Sequence, residues 1–237
     1  MNQKSKICLA LDGLTADEGI DMVSKMGRQV RAVKIHDLLD WNGPEYLDEL
    51  HAIGVDPWVD YKLHDTRDTV GLRVRALVAN GAKIITVHAS GGVPMMQAAV
   101  NATFSGCDDP LAEIWAITVL TSLDKGEVAR IYGKERTVAQ IVREFALMAK
   151  EAGVETVVCS AEEVGVLSKD PELKGMKFTV PGTRSPGKAL GQQKRSGTPS
   201  QAIADGATYL VAGSQVTKAE DPVMALEAMV TEISWIS

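Results

Sequence analysis

The sequence predicts a (β/α)8 barrel, and three observations carry that prediction. Short apolar runs recur at fairly regular intervals, eight in all, and each is followed by a segment of helical periodicity. Strands buried on both faces and joined by crossover helices read this way. No Pro- or Ser-rich linker interrupts the series, so residues 1–237 are read as a single barrel domain. Barrels of this kind typically need about 250 residues. An open doubly wound sheet would share the alternation, but no G-x-G-x-x-G follows the first strand.

In chain order, the first predicted strand is Lys6–Asp12, followed by a helix over Thr15–Met26. Thr15 is its N-cap and Glu18, three residues on, completes a capping box. The second strand is Ala32–Leu38, with a helix near Gly43–Ile53. The third is Pro57–His64, with a helix over Thr66–Asn80 that Gly81 stops. Lys83–Ala89 and Pro94–Ala102 form the fourth unit. Glu113–Thr121 and Val138–Ala152 form the fifth, and Thr156–Ser160 with Ala161–Leu167 the sixth. The seventh strand, Lys177–Pro181, leads into a polar, glycine-rich loop and a helix near Pro199–Asp205. The eighth, Tyr209–Gly213, precedes a helix over Asp221–Ile233.

Composition narrows the function classes. A net charge of −6 argues against a nucleic-acid surface, which is normally basic. Aromatic residues are 5% of the chain, leaving no stacking platform for single strands. Cys8, Cys107 and Cys159 are far apart and odd in number, which suggests a reducing cytoplasm and no disulfide framework. No apolar run approaches a membrane span or a signal-peptide core. His36, His51, His64 and His88 show no metal-ligand spacing, and no G-x-S-x-G elbow occurs, so neither a metal site nor a serine hydrolase is expected.

The stretch Val59–Val70 is the most informative. Val59, Tyr61 and Leu63 alternate with Asp60, Lys62 and His64, which places the charges on one face of a strand. A closed barrel has no wet edge strand to carry them. Buried charges must therefore be paired or put to use. Polar residues also gather at other predicted strand ends: Asp12, Lys34, His88 with Ser90, Ser122, Arg184 and Ser214. If alternation holds, Cys8, Ala10 and Asp12 point inward on the first strand, and Thr118, Leu120 and Ser122 on the fifth. Active sites of barrels form at that C-terminal rim. Asp12, Lys34, Asp60, Lys62 and Asp65 read as one nearly self-neutralising cluster, in which a lysine flanked by carboxylates suits proton donation or the stabilisation of a developing carbanion. A purely structural ion network is the alternative.

The loop after the seventh strand, Pro181-Gly182-Thr183-Arg184-Ser185-Pro186-Gly187-Lys188, runs on to Gln192-Gln193-Lys194-Arg195. Glycines, prolines and four cations after a barrel strand suit a lid that grips an anion. A flexible surface loop is the plainer reading. Gly182 to Lys188 approaches a P-loop, but Ala189 stands where the magnesium-binding hydroxyl belongs, so that reading is rejected.

Taken together, these residues resemble the orotidine 5′-monophosphate decarboxylase family over essentially the whole chain. The anchors are Ala10-Leu11-Asp12, Lys34, Asp60-x-Lys62-x-x-Asp65 with Thr69-Val70, and Val87-His88-Ala89-Ser90-Gly91-Gly92. Thr118-Val119-Leu120-Thr121-Ser122, Pro181-Gly182-Thr183-Arg184, Gln192-Gln193 and Thr198-Pro199 complete them. The resemblance implies a cofactor-independent carboxy-lyase that converts orotidine 5′-monophosphate to uridine 5′-monophosphate in the cytoplasm. Lys62 would stabilise the carbanion and protonate the ring carbon. Asp60 would lie against the departing carboxylate, with Lys34 holding it. Asp12 would take ribose hydroxyls and Ser122 the pyrimidine amide edge. Arg184 with Gln192 or Gln193 would engage the phosphate, along with the Pro181 and Gly213-Ser214 segments. Asp65 and Thr69 would reach into a neighbouring subunit's site, making a homodimer. The remaining alternatives are a related barrel lyase acting on another ligand, or a catalytically silent nucleotide-binding protein.

The chain departs from the family pattern at three places. Thr66-Arg67-Asp68 stands where Ile-Pro-Asn is usual, and Thr183 where isoleucine is frequent. After the glycine of the eighth strand the family carries a phosphate-binding arginine; here the segment is Gly213-Ser214-Gln215. Either Arg184, Lys194 and Arg195 with backbone amides compensate, or the true ligand has its phosphate placed differently or has none.

Overall fold

The computed structural model describes residues 5–185, 197–234 and 236. Eight parallel strands close into a barrel in sequence order. They are β1 (Ile7–Ala10), β2 (Ala32–Ile35), β3 (Pro57–Leu63), β4 (Ile84–His88), β5 (Glu113–Ile117), β6 (Thr156–Val158), β7 (Lys177–Pro181) and β8 (Tyr209–Ala212). The helices are α1 (Ala16–Met26), α2 (Asp37–Asn42), α3 (Glu45–Ile53), α4 (Arg67–Ala79), α5 (Val93–Ala102), α6 (Lys125–Tyr132), α7 (Val138–Glu151), α8 (Ala161–Leu167), α9 (Pro199–Ala204), α10 (Ser214–Thr217) and α11 (Pro222–Ser234). The (β/α)8 expectation holds.

Local sequence accounts for many boundaries. Thr15 and Glu18 form the expected capping box at the start of α1, and Thr137 with Gln140 does the same for α7. Ser160 and Glu163 cap α8 in the same way, which ends β6 at Val158 rather than Ser160. The loop cations Lys188, Lys194 and Arg195, with Gln192 and Gln193, lie outside the described residues.

Strand alternation sorts the core into two layers. Ile7, Leu9, Val33, Ile35, Val59 and Ile85 pack outward against the helices. Cys8, Ala10, Ala32, Trp58, Ile84 and Trp115 belong to a second cluster inside the barrel. The small residues of β1 and β2 leave room for large ones opposite. Trp58 and Trp115 meet with ring centroids 4.6 Å apart, and Trp115 stacks on Tyr209 at 5.4 Å. Below them the Arg31 guanidinium lies over the Tyr209 ring and bridges Asp56 and Glu113 at 2.6 Å each. Glu113 also accepts a hydrogen bond from Trp115 Nε1 at 2.8 Å. The floor of the barrel is thus closed by aromatics and an ion network centred on Arg31.

Several strands are shorter than the apolar runs suggested. β2 stops at Ile35 because the His36 ring accepts a hydrogen bond from the Asp37 amide and starts α2, a helix the sequence reading did not contain. β5 stops at Ile117 rather than Thr121: Thr118 turns its hydroxyl onto the Val158 carbonyl at 2.7 Å, and the chain leaves the sheet. α6 and α10 were also unforeseen; at eight and four residues they offer too few turns for periodicity to show.

Trp115 is fully buried in the aromatic stack. Trp115→Ala should cost about 3–5 kcal/mol, a large-to-small core loss, measurable as a lowered denaturant midpoint with the far-ultraviolet spectrum retained.

Candidate active site

The site is built on an irregularity in β3. Val59 pairs with Ile85 and Leu63 with Val87, so four steps along β3 match only two along β4. The surplus is taken up where Lys62 adopts φ +46°, a left-handed conformation that costs a lysine of order 1–3 kcal/mol. Thr86, the β4 residue between the two registers, holds the distortion. Its hydroxyl accepts the Lys62 backbone N–H at 2.9 Å and donates to Asp60 Oδ1 at 2.8 Å.

Asp60 is buried, and three donors surround its carboxylate. Besides Thr86 on Oδ1, Lys62 Nζ lies 2.6 Å and Lys34 Nζ 3.3 Å from Oδ2. Lys34 reaches on to Asp12 Oδ1 at 2.7 Å, and His36 Nε2 approaches that oxygen at 3.0 Å. Two ammonium groups therefore answer two carboxylates. Burial works to raise the Asp12 pKa, but the His36 hydrogen bond and the Lys34 charge outweigh it and hold the carboxyl well below its ordinary range. His88 sits beside this array with its ring 5.7 Å from that of His64. Burial, then the neighbouring His64 and Lys62, push its pKa down, so the neutral ring is favoured.

Two cavities open at the rim and share Lys34, Pro181 and Val211 in their walls. The smaller, about 170 Å³, has Asp60 and Lys62 on one side and apolar Trp58, Ile117, Val158 and Leu120 around them. The larger, about 420 Å³, includes Asp12, Arg184, Gly213, Ser214 and Lys218.

The structure thus brings together Asp12, Lys34, Asp60 and Lys62 as one network, and Pro181, Arg184, Gly213 and Ser214 around the adjoining space. Asp65 is exposed; its Oδ1 accepts the Thr66 amide at 2.6 Å, and it is no part of the Lys34–Asp60–Lys62 array. Thr69 Oγ1 lies 3.0 Å from Thr66 Oγ1. Ser122 is exposed in the turn beyond the shortened β5 and lines neither cavity, whereas inward alternation would have placed it at the rim. Thr86, His36, Trp58 and Lys218 were not singled out from sequence. Alternation with Ile84 and His88 was a usable signal for Thr86, but nothing marked it as the clamp on a strand bulge.

Residues 5–229 match the family model of the orotidine 5′-phosphate decarboxylase / HUMPS family. The chain belongs to this family. It is 39% identical to the orotidine 5′-phosphate decarboxylase of Marinomonas sp. (strain MWYL1) over 227 residues, 95% of each chain. It is 38% identical to that of Pseudoalteromonas translucida (strain TAC 125), over 94% of this chain and 95% of the relative. Among solved structures, orotidine 5′-phosphate decarboxylase from Lactobacillus acidophilus superposes with a TM-score of 0.81 at 28% identity, covering 97% of this chain and 99% of that one.

For a member of the orotidine 5′-phosphate decarboxylase / HUMPS family, the departures at Thr66, Arg67 and Asp68 fall outside both cavities. All three are exposed, and Arg67 pairs with Asp68 at 3.3 Å. The departure at Ser214 falls in the wall of the larger one.

Thr86→Val removes both the clamp on Lys62 and a hydrogen bond to a buried charge, an interaction of about 1.5–3 kcal/mol. It should lower the melting temperature and reduce turnover about 10-fold or more by an activity assay. His88 carries a depressed pKa in the folded state, so the unfolded chain binds more protons once pH falls below its ordinary value of 6.5. Stability should therefore fall on acidification from about pH 7 to pH 5, and chemical denaturation of His88→Gln should show a shallower decline over that window.

Proposed function

We propose that this chain decarboxylates orotidine 5′-monophosphate to uridine 5′-monophosphate using side chains alone, in the last step of de novo pyrimidine nucleotide synthesis. The observation that carries this reading is Lys62 Nζ held 2.6 Å from buried Asp60 at the wall of a largely apolar cavity that Lys34 and Thr121 also line. The pyrimidine ring occupies that cavity, and the ribose phosphate extends past Asp12 into the larger one. Asp60, fixed by Lys34 and Thr86, faces the substrate carboxylate, and their like charges oppose each other until carbon dioxide leaves. The carbon–carboxyl bond breaks and its electron pair remains on the ring carbon. The Lys62 ammonium stabilises that carbanion and then transfers a proton to it, and solvent restores the proton to the amine. Fixed charges in a dry apolar wall act more strongly than in water and need no rearrangement during the reaction.

Asp12, Pro181, Gly213 and Ser214 border the ribose and phosphate, with Arg184 and the lid glutamines Gln192 and Gln193 gripping the phosphate; Ser122 reaches the base edge once the lid closes. Remote phosphate binding would supply energy for that closure.

The active form is a homodimer in which Asp65 and Thr69 serve the partner's site. Asp65 stands just before α4 and Thr69 in its first turn, and neither takes part in its own subunit's ion array. The flanking surface suits a partner: Trp41 is 85% exposed and Leu72 is 63% exposed. They neighbour Asp40 and Arg73, which meet Tyr61 from either side through a hydrogen bond and a ring contact. Among the described residues no helix is long and apolar enough to cross a membrane, and Cys8, Cys107 and Cys159 are free thiols, in keeping with a cytoplasmic enzyme. The intact Asp60–Lys62 array and the names of both relatives favour the decarboxylase over a lyase of another ligand or a silent binder.

Incubation with orotidine 5′-monophosphate, followed by pyrimidine absorbance, should show turnover that Lys62→Ala reduces by at least about 10³-fold. Undiminished turnover in that variant would sink the assigned chemistry. Mixing inactive Lys62→Ala with inactive Asp65→Ala should restore about a quarter of wild-type activity, because half of the dimers then hold one complete site. No recovery after subunit exchange would place Asp65 in its own subunit.

A further inference from the structure

We propose that Lys218, together with Arg184, is the cationic clamp on the substrate phosphate, taking the place of the arginine absent at position 214. The inference rests on the nucleotide reading above and extends it to a residue that the sequence motifs did not select.

The argument begins with the backbone. α10 starts at Ser214 directly after β8, and the Lys218 amide donates to the Ser214 carbonyl at 3.2 Å. That bond closes one helical turn and sets the two residues on one face, as i and i+4 positions are. A side chain at 214 and one at 218 therefore project toward the same space. In this chain the first is a short serine and the second a long, exposed lysine, and both border the 420 Å³ cavity. A serine at 214 leaves open the volume through which the longer side chain reaches.

The charge count of that wall supports an anion. Asp12 is its carboxylate, already bound by Lys34 and His36. Lys34 is in turn shared between Asp12 and Asp60. Lys218 adds a positive charge beyond that balance, in the same wall as Arg184. Among the described residues no carboxylate forms an ion pair with Lys218. A phosphate monoester carries a charge of about −1.5 to −2 at neutral pH, for which such a cation is a fitting partner.

The opposite wall is tied to the same helix. Gln215 accepts a hydrogen bond from the Ser185 amide at 3.2 Å, joining the segment after β7 to α10. Arg184 Nη1 donates to the Thr183 carbonyl at 2.8 Å, and the Arg184 amide donates to the Gly197 carbonyl at 2.9 Å. Arg184 and Lys218 are therefore carried by two segments bridged across the cavity, one from each of the strands that most often frame phosphate in such barrels. Lysine serves here as a compact point charge with three rotatable donors, and needs less exact placement than the fork of an arginine.

Calorimetric titration of uridine 5′-monophosphate and of uridine separates phosphate recognition from everything else. Lys218→Ala should weaken the nucleotide about 10- to 100-fold, as expected for a lost charged hydrogen bond, and leave uridine unchanged. Lys218→Arg should keep the nucleotide affinity within about threefold. Adding Ser214→Arg to Lys218→Ala should recover most of the loss, and kcat/KM for orotidine 5′-monophosphate should follow the same order. Unchanged nucleotide affinity in Lys218→Ala, or an equal loss for nucleotide and nucleoside, overturns the assignment. So does a loss that appears only in Lys194→Ala and Arg195→Ala. Wild-type protein that binds no uridine 5′-monophosphate overturns the nucleotide reading, and this assignment falls with it.

Discussion

The burial of one carboxylate organises this molecule. Asp60 is 7% exposed, and an unpaired charge at that depth would cost several kcal/mol. The surrounding structure is arranged to supply its donors. Lys34 comes from β2, Lys62 from a strained position two residues along β3, and Thr86 from β4. The strain at Lys62 has a purpose in this arrangement. A regular strand would spread Asp60 and Lys62 along its length, whereas the distorted segment lets the ammonium fold back onto the neighbouring carboxylate. Thr86 is what makes the distortion tenable, because it satisfies the displaced amide and the carboxylate with one hydroxyl.

The barrel interior supports this array from below. Cys8, Ala10 and Ala32 are small, and that space is filled by Trp58, Trp115 and Tyr209. The stack forms an apolar floor directly under the charged rim. On β2, β3 and β4 the next inward position above it is polar: Lys34 above Ala32, Asp60 above Trp58, Thr86 above Ile84. Stability and chemistry are thus separated by one layer of side chains. The Cys8 thiol belongs to the lower layer, where burial pushes its pKa up to about 12 and leaves it an inert filler.

The proposed recognition of substrate is divided in the same manner. In that reading the smaller cavity sets fixed charges against the reacting carbon, and Arg184 and Lys218 in the wall of the larger one serve the phosphate at a distance. Ser214 lies in the wall of the larger cavity alone. On the proposed assignment, a chain that keeps the Asp12–Lys34–Asp60–Lys62 array loses one phosphate ligand and recovers the charge one turn along the same helix.

Much of this was legible from residue order. Eight apolar runs with intervening amphipathic segments, with no G-x-G-x-x-G after the first, favoured a closed parallel barrel over an open doubly wound sheet. Period-two alternation was enough to send Cys8 and Ala10 inward, and D-x-K-x-x-D marked Asp60 and Lys62 as charges that needed partners. Where the strands end was not legible: Thr118 leaves the sheet through a hydrogen bond to the Val158 carbonyl, which only folding brings near, and His36 through a ring bond from the next residue's amide. Ser122 was misplaced for that reason. The bulge at Lys62 depends on a threonine from another strand, and the place of Lys218 in the cavity wall depends on a four-residue helix with no periodicity to read. Sequence by itself determined the barrel and the identity of its paired charges, since those follow from burial and repeat. Tertiary structure alone decided which strand bends and which hydroxyl holds the bend, since each depends on contacts between distant parts of the chain.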